Sequence, residues 1–391
     1  MNRSPKESDG GATKTLTLSA CVDLTKRGRF AEALENLRRL QVSLKEPAYP
    51  VHQLLVADSL QRTGQNEEAK SIVTRLLENP NASTGVLARG HLIVGNIAKD
   101  RGESSRATEH FRRASTHAAS AKDAELACWA QLRLMAATAD LAGAPAGMAL
   151  LSETKRCLTR FGELRPFIAL HLWIAEAESK NGLLDNARRH LRIAESLLNQ
   201  IDDIWLAGYF AINSFGVCYY SADIQQAHAW AKVAVSCSTL SGHAATRRAA
   251  YASLGHVEFS NGNIAEAEKY FRYALDCCET GSRSQVAILD SIAQLKLFTN
   301  DLQSTEAILN QLSEMSGSQG TSRTSYYESW TLQTKIQLLL KQGRLKEARA
   351  LSHQVGSSLA IEQDPRLSLV LKLLAVDTFL ASLDVHGQQL T

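Results

Sequence analysis

Proline and cysteine are both scarce, 7 of each in 391 residues, and aromatic residues make up 6% of the chain. Strict alternations of Val, Ile and Thr are missing, so little in the sequence asks for strands. The cysteines (Cys21, Cys128, Cys157, Cys218, Cys237, Cys277 and Cys278) contain no C-x-x-C pair, and zinc or redox chemistry wants ligands at that short spacing. Cys277 and Cys278 are adjacent and would point roughly 100° apart on a helix. All seven read as small buried hydrophobes of a reducing compartment. Residues 1–12 are polar, without the apolar stretch of a signal peptide. No run of about 18 uncharged apolar residues could span a membrane. A cytoplasmic protein with no membrane partner is expected.

Charge of one sign is also in short supply. The net charge is +3, with Lys and Arg scattered among Asp and Glu as in Glu266-Ala267-Glu268-Lys269. Direct nucleic-acid binding, which needs a dense basic stripe that displaces counterions, is not expected. The Lys-containing phosphate loop, H-E-x-x-H, G-x-S-x-G and G-x-G-x-x-G are all absent. The 11 histidines are dispersed; His110 and His117 fall seven apart with no carboxylate partner and read as surface residues. The expectation is no enzyme, no cofactor and no metal.

What the chain does have is Ala, Leu, Glu, Arg and Lys, the residues that lose least on entering a helix. They are ordered by a repeat. In Leu254–Ala267, Gly255 removes a side chain where two helices must approach closely. Gly262 and Asn263 suit the left-handed turn that ends a helix, and Ile264 covers that turn. Ala267, Phe271 and Ala274 then form one buried face of a second helix. The turn and second helix recur at Gly28–Ala33, Gly64–Ala69, Gly102–Ala107, Gly182–Ala187 and Gly343–Ala348, and without glycine at Ala222–Ala227 and Asn300–Thr305. The small residues at 33, 69, 107, 187, 227, 267, 305 and 348 are separated by 36, 38, 80, 40, 40, 38 and 43 residues. The step of 80 implies one more unit, which Gly143–Leu151 fits poorly because Pro145 breaks the pattern.

This pattern resembles the tetratricopeptide repeat (TPR) family over residues 14–355. Its unit here is near 39 residues rather than the usual 34, a stretched form similar to the sensor regions of large bacterial transcription regulators. The resemblance implies an all-α, right-handed superhelical solenoid of about nine antiparallel helix pairs. Residues 1–13 are expected as a tail and 14–363 as the array. Asp364-Pro365 opens a helix over 364–385, a cap or half of a further repeat, and 386–391 form a tail.

The resemblance further implies that the first helix of each pair lines a concave groove that binds a protein or peptide segment. The alternative is an effector-sensing region of a larger bacterial signalling or transcription regulator. Inward positions should lie one residue after and three before the small residue of each first helix. That rule selects Asp58 with Leu54, Asn96 with Leu92, Glu176 with Leu172, His256 with Ala252, Gln294 with Asp290 and Gln337 with Gln333. Arg89, Lys99, Arg133, Lys180, Asn213 and Tyr220 belong to the same surface. One TPR subfamily grips a terminal carboxylate with Lys and Asn on successive inner helices; here Leu54, Leu92 and Leu172 stand at the lysine places and Asn96 alone remains. The aromatics Trp205, Tyr209, Phe210, Phe215, Tyr219 and Tyr220, and Trp330 with Tyr326 and Tyr327, can serve either core or pocket.

Overall fold

The computed structural model describes residues 16–317, 326–356 and 368–377, and among them there is no strand. Helices follow one another as hairpins: α1 (Leu18–Lys26) with α2 (Phe30–Arg39), α3 (Tyr49–Arg62) with α4 (Asn66–Leu77), and α5 (Thr84–Asp100) with α6 (Ser104–Ala121). The fourth pair is α7 (Ala124–Ala142) with α9 (Leu151–Phe161), split by the short α8 (Ala144–Ala149). Then come α10 (Leu164–Lys180) with α11 (Leu184–Leu198), α12 (Ile204–Tyr220) with α13 (Ile224–Ser241), and α14 (Ala244–Ser260) with α15 (Ile264–Leu275). Last are α16 (Arg283–Phe298) with α17 (Leu302–Gly317) and α18 (Tyr326–Lys341) with α19 (Leu345–Gly356). Residues 368–377 form a further helix; Asp364 and Pro365, which should open it, lie outside the described residues, as do the two tails.

The small residues that define the repeat are where the helices press together. Ala33, Ala69, Ala107, Ala187, Ala227, Ala267, Thr305 and Ala348 all have no exposed surface. A β-carbon on Gly95 or Gly255 would sit 2.6 Å from the ring of Phe111 or Phe271 respectively, so each first helix must be notched where the second helix carries its aromatic. Where the turn lacks glycine, Ala222 and Asn300 adopt the same left-handed conformation at φ 61° and 62°. The irregular fourth unit is explained by α8. Its Gly147 lies against Ala139 and Met135 of α7, and the small-residue position passes to fully buried Thr154. Pro145 sits in the first turn of α8, where a missing N–H costs nothing.

A repeat pattern fixes how neighbours stack but not whether the coil meets itself. Here it does. The hairpin tip at Gly28 docks on Asp203 and Trp205 at the start of α12, the tip at Gly64 on Ala244 at the start of α14, and the tip at Gly102 on Arg283 at the start of α16. Each tip therefore meets the pair five places further on, and the array closes one turn every five pairs. At the seam, Ile204 N–H donates to Arg27 C=O at 3.0 Å. Arg165 spans Asp203 at 2.8 Å and Glu125 at 3.1 Å. Asn66 donates to Glu279 at 2.7 Å, and Arg101 reaches both Glu279 and Glu67. Phe30 packs edge-on against Trp205, ring centres 6.0 Å apart, and the Arg62 guanidinium lies over both rings at 4.5 and 5.2 Å. The expected groove is, over these repeats, the interior of a coil that meets itself.

Candidate functional site: the interior of the closed coil

The interior holds a cavity of 710 Å³, walled by α3, α5, α7, α10, α12 and α14 and by the segment from Asp276 to Ser284. These six are first helices of their pairs, as the repeat register requires. The volume falls within the roughly 300–1,000 Å³ usual for ligand sites.

Eight of the twelve residues selected from the sequence line it: Asn96, Lys99, Arg133, Glu176, Lys180, Asn213, Tyr220 and His256. Asp58 reaches it indirectly, through a 2.9 Å ion pair that holds Arg62. Arg89 is on α5 but outside the lining, and Gln294 and Gln337 belong to α16 and α18, beyond the enclosed turn. The three-before half of the register rule lands mostly in the core: Leu54, Leu92 and Leu172 are buried between helices, and only Ala252 lines the cavity. Asp290 and Gln333 are buried as well; Thr334 and Gln294 both donate to Asp290, at 2.8 and 2.7 Å.

The residues missed were legible as the next rung of the same ladders. Arg62 follows Asp58 by four, Asp100 follows Asn96 by four, and Arg248 precedes Ala252 and His256 by four and eight, so each lies on an inward stripe already identified. Trp129, Trp173 and His243 complete the wall. The aromatic stretch divides. Trp205 belongs to both seam and cavity, Tyr209 and Tyr220 line the cavity, and Phe210 packs against Trp230 in the core. Phe215 lines the wall and stacks on Tyr219, whose hydroxyl meets Ser260 at 3.0 Å. Trp330 is half-buried against Ile336, Leu371 and Leu374; the side chains of Tyr326 and Tyr327 lie outside the described residues.

The electrostatics are those of a half-dry polar chamber. Tyr209 donates to Glu176 at 2.9 Å and Lys180 to the other oxygen of Glu176 at 2.6 Å. Burial holds the Tyr209 hydroxyl well above its ordinary range, so it stays a donor. Asp140, 3.3 Å away, raises the Lys99 ammonium and keeps it charged. Burial pushes the Asp100 carboxyl up against the opposing pull of Arg248, Lys99 and Arg133. His243 is held well below its ordinary value by burial and by Arg62, Arg133 and Arg248, so its Nδ1 is free to accept the Thr246 N–H that caps α14. Burial lowers His256 to about 4. The Cys278 thiol is pushed up to about 11 by burial, the opposite of an activated nucleophile. Among the described residues no group of three His, Cys, Asp or Glu side chains is placed to hold a metal ion.

His110 and His117 are not simple surface residues. Both are half-buried and face His91, with His110 Nδ1 3.1 Å from His91 Nδ1 and the His117 ring stacked at 5.7 Å.

No protein-family model and no curated protein matches the sequence. Solved structures do match in fold. A Rap protein complexed with competence and sporulation factor superposes with a TM-score of 0.52 at 13% identity, covering 95% of this chain and 98% of that one. Cut9 of the APC/C hetero-tetramer Cut9–Hcn1 superposes with a TM-score of 0.52 at 17% identity over 77% of this chain. The present chain covers 52% of that chain, about half its length. The structural neighbours are TPR-repeat proteins. The chain is a TPR-like helical solenoid. Among the described residues of this solenoid no helix is long and apolar enough to cross a membrane.

Proposed function

We propose that this TPR-like solenoid is a non-enzymatic binding protein that holds a short segment of a protein or peptide inside its closed coil. The carrying observation is convergence: side chains selected as inward-facing from the repeat register surround one 710 Å³ chamber. The first helix of a repeat normally spends its inner face on solvent, whereas here Trp129, Trp173, Trp205 and Tyr209 stand beside charged and amide groups. That mixture of rigid aromatic area and directed polar groups is what peptide recognition uses.

A second reading, an effector-responsive regulator, is favoured by the seam. Its tips and ion pairs join elements five repeats apart, so a ligand that fits only the closed form would shift the coil toward closure. The Rap protein complexed with competence and sporulation factor has the same fold over nearly its whole length. The two readings share a binding site and differ in whether occupancy changes the coil.

The test is capture from a lysate by the wild-type chain and by Ala252→Trp, which projects an indole into the chamber, beside Ile193→Trp on the exposed side of α11. Partners retained by the Ile193 variant and lost with Ala252→Trp support the proposal. Partners retained by both place the binding surface elsewhere.

A further inference from the structure

The chamber contains two guanidinium groups without an ion-pair partner among the described residues. Arg133 on α7 and Arg248 on α14 both line it, and both act electrostatically on His243 and Asp100. Neither makes a hydrogen bond or ion pair with any residue of the described chain. Their neighbours differ. Arg62 is tied to Asp58 at 2.9 Å, Lys99 to Asp140 at 3.3 Å and Lys180 to Glu176 at 2.6 Å. Arg247 donates to the Cys277 sulfur at 3.4 Å. The local carboxylate that could have served, Asp100, is engaged by Gln61 at 3.2 Å and has no cation within ion-pair distance.

A half-buried guanidinium keeps five donors that want acceptors, and leaving them unmet is costly. Burial and the nearby Arg62 charge disfavour the charged form of Arg133, yet an arginine does not give up its proton. Packing does not account for the pair either. Arg133 lies 5.9 Å over the Trp129 ring, a contact that Met or Gln could replace in area. Arg248 has no ring contact of this kind among the described residues. Planar acceptors of an anion match the donors of a guanidinium.

We infer that Arg133 and Arg248 form a carboxylate-binding subsite, so that the segment held in the chamber presents either a free C-terminus or an Asp or Glu side chain. The inference rests on the proposed role of the interior as the binding site. It differs from a lysine–asparagine clamp on successive helices, because its two cations are arginines from the fourth and seventh helix pairs.

Two measurements test it. In the first, the full chain is incubated with a random hexapeptide library synthesised in four forms, with and without Asp and Glu, each with a free or an amidated C-terminus. Enrichment confined to members carrying a carboxylate supports the inference, and the form that fails identifies its source. Arg133→Gln and Arg248→Gln should each weaken the enriched peptide by roughly tenfold or more, the loss of a charge-assisted hydrogen bond. Capture by the wild-type chain that is indifferent to all carboxylates overturns the subsite and leaves interior binding standing. Capture of no library member counts against both. In the second, the unliganded Arg133→Gln and Arg248→Gln variants are melted. Higher melting temperatures than wild type are expected, because an unmet charge is removed. Lower ones would show that the arginines hold the coil together and would overturn the assignment.

Discussion

The seam is the feature on which the enclosed chamber depends, and Gly28 is one of its tightest points. Two separate penalties attend Gly28→Ala. The residue has φ +69°, a conformation that costs a side-chain-bearing residue about 1–2 kcal/mol. Its new β-carbon would also lie 2.5 Å from Asp203 Oδ1, 2.6 Å from Trp205 N and 2.7 Å from Trp205 Cβ. Part of that obstruction is backbone, and Asp203 is pinned by its own bonds to the N–H groups of Trp205 and Leu206. Either the tip or the start of α12 must shift, at a cost on the order of 1–3 kcal/mol as for other overpacked sites. Gly182 supplies the control. It occupies the same place in the turn of the fifth hairpin, with φ +78° and no atom within 4 Å of a built β-carbon. Gly182→Ala should therefore show the backbone penalty alone. Urea unfolding of both variants against wild type measures the difference, which should be about 1–3 kcal/mol in the sense that Gly28→Ala is worse. Equal destabilisation would mean that the tip and α12 are not packed together in solution.

Ala222 takes the left-handed turn conformation at φ 61° without being glycine, so Ala222→Gly should stabilise by about 0.5–1 kcal/mol, read as a higher melting temperature. Ala267→Leu should cost on the order of 1–3 kcal/mol, because the site is fully buried against the first helix. Glu266→Ala, which loses only a half-exposed pair with Lys269, should stay within about 0.5 kcal/mol of wild type; similar melts for the two would contradict the register. Stability should fall as pH is lowered from 7 toward 4. His91, His171 and His256 are each lowered to about 4, chiefly by burial. Between the unfolded value near 6.5 and that folded value the unfolded chain binds more protons, so stability is present above the window and lost as pH falls through it. Asp290, raised to about 6 by burial, opposes this together with Asp100 and Glu178, also raised, while His110, His190 and His243, also lowered, add to it, so the histidines prevail. Melting temperatures that rise on acidification would refute the assignment.

The local architecture was legible in the sequence because each repeat position has one steric job. Gly255 and Phe271 are a notch and the ring that fills it, and such a pair can be recognised without coordinates. The inward stripe was legible for the same reason, since residues four apart share a helix face; reading one rung further would have added Arg62, Asp100 and Arg248. The fourth unit was obscured because α8 is inserted between its helices, which moved the small position to Thr154. Leu54, Leu92 and Leu172 were misplaced: each stands four residues before Asp58, Asn96 or Glu176 and so shares its stripe, yet its apolar side chain is buried between helices instead of lining the chamber. The closure could not be read at all. It depends on small rotations accumulated over five pairs, which no single repeat encodes, and it brings Glu279 to Asn66 across 213 residues of chain.

Hydrogen exchange at one amide tests that closure most directly. Ile204 is the first residue of α12, where an N–H has no acceptor within its own helix, and its partner is Arg27 C=O across the seam at 3.0 Å. Leu164 opens α10 with no such partner. A coil closed in solution predicts slow exchange at Ile204 and fast exchange at Leu164 in residue-resolved NMR. Equally fast exchange at both would contradict an enclosed interior and the binding role built on it.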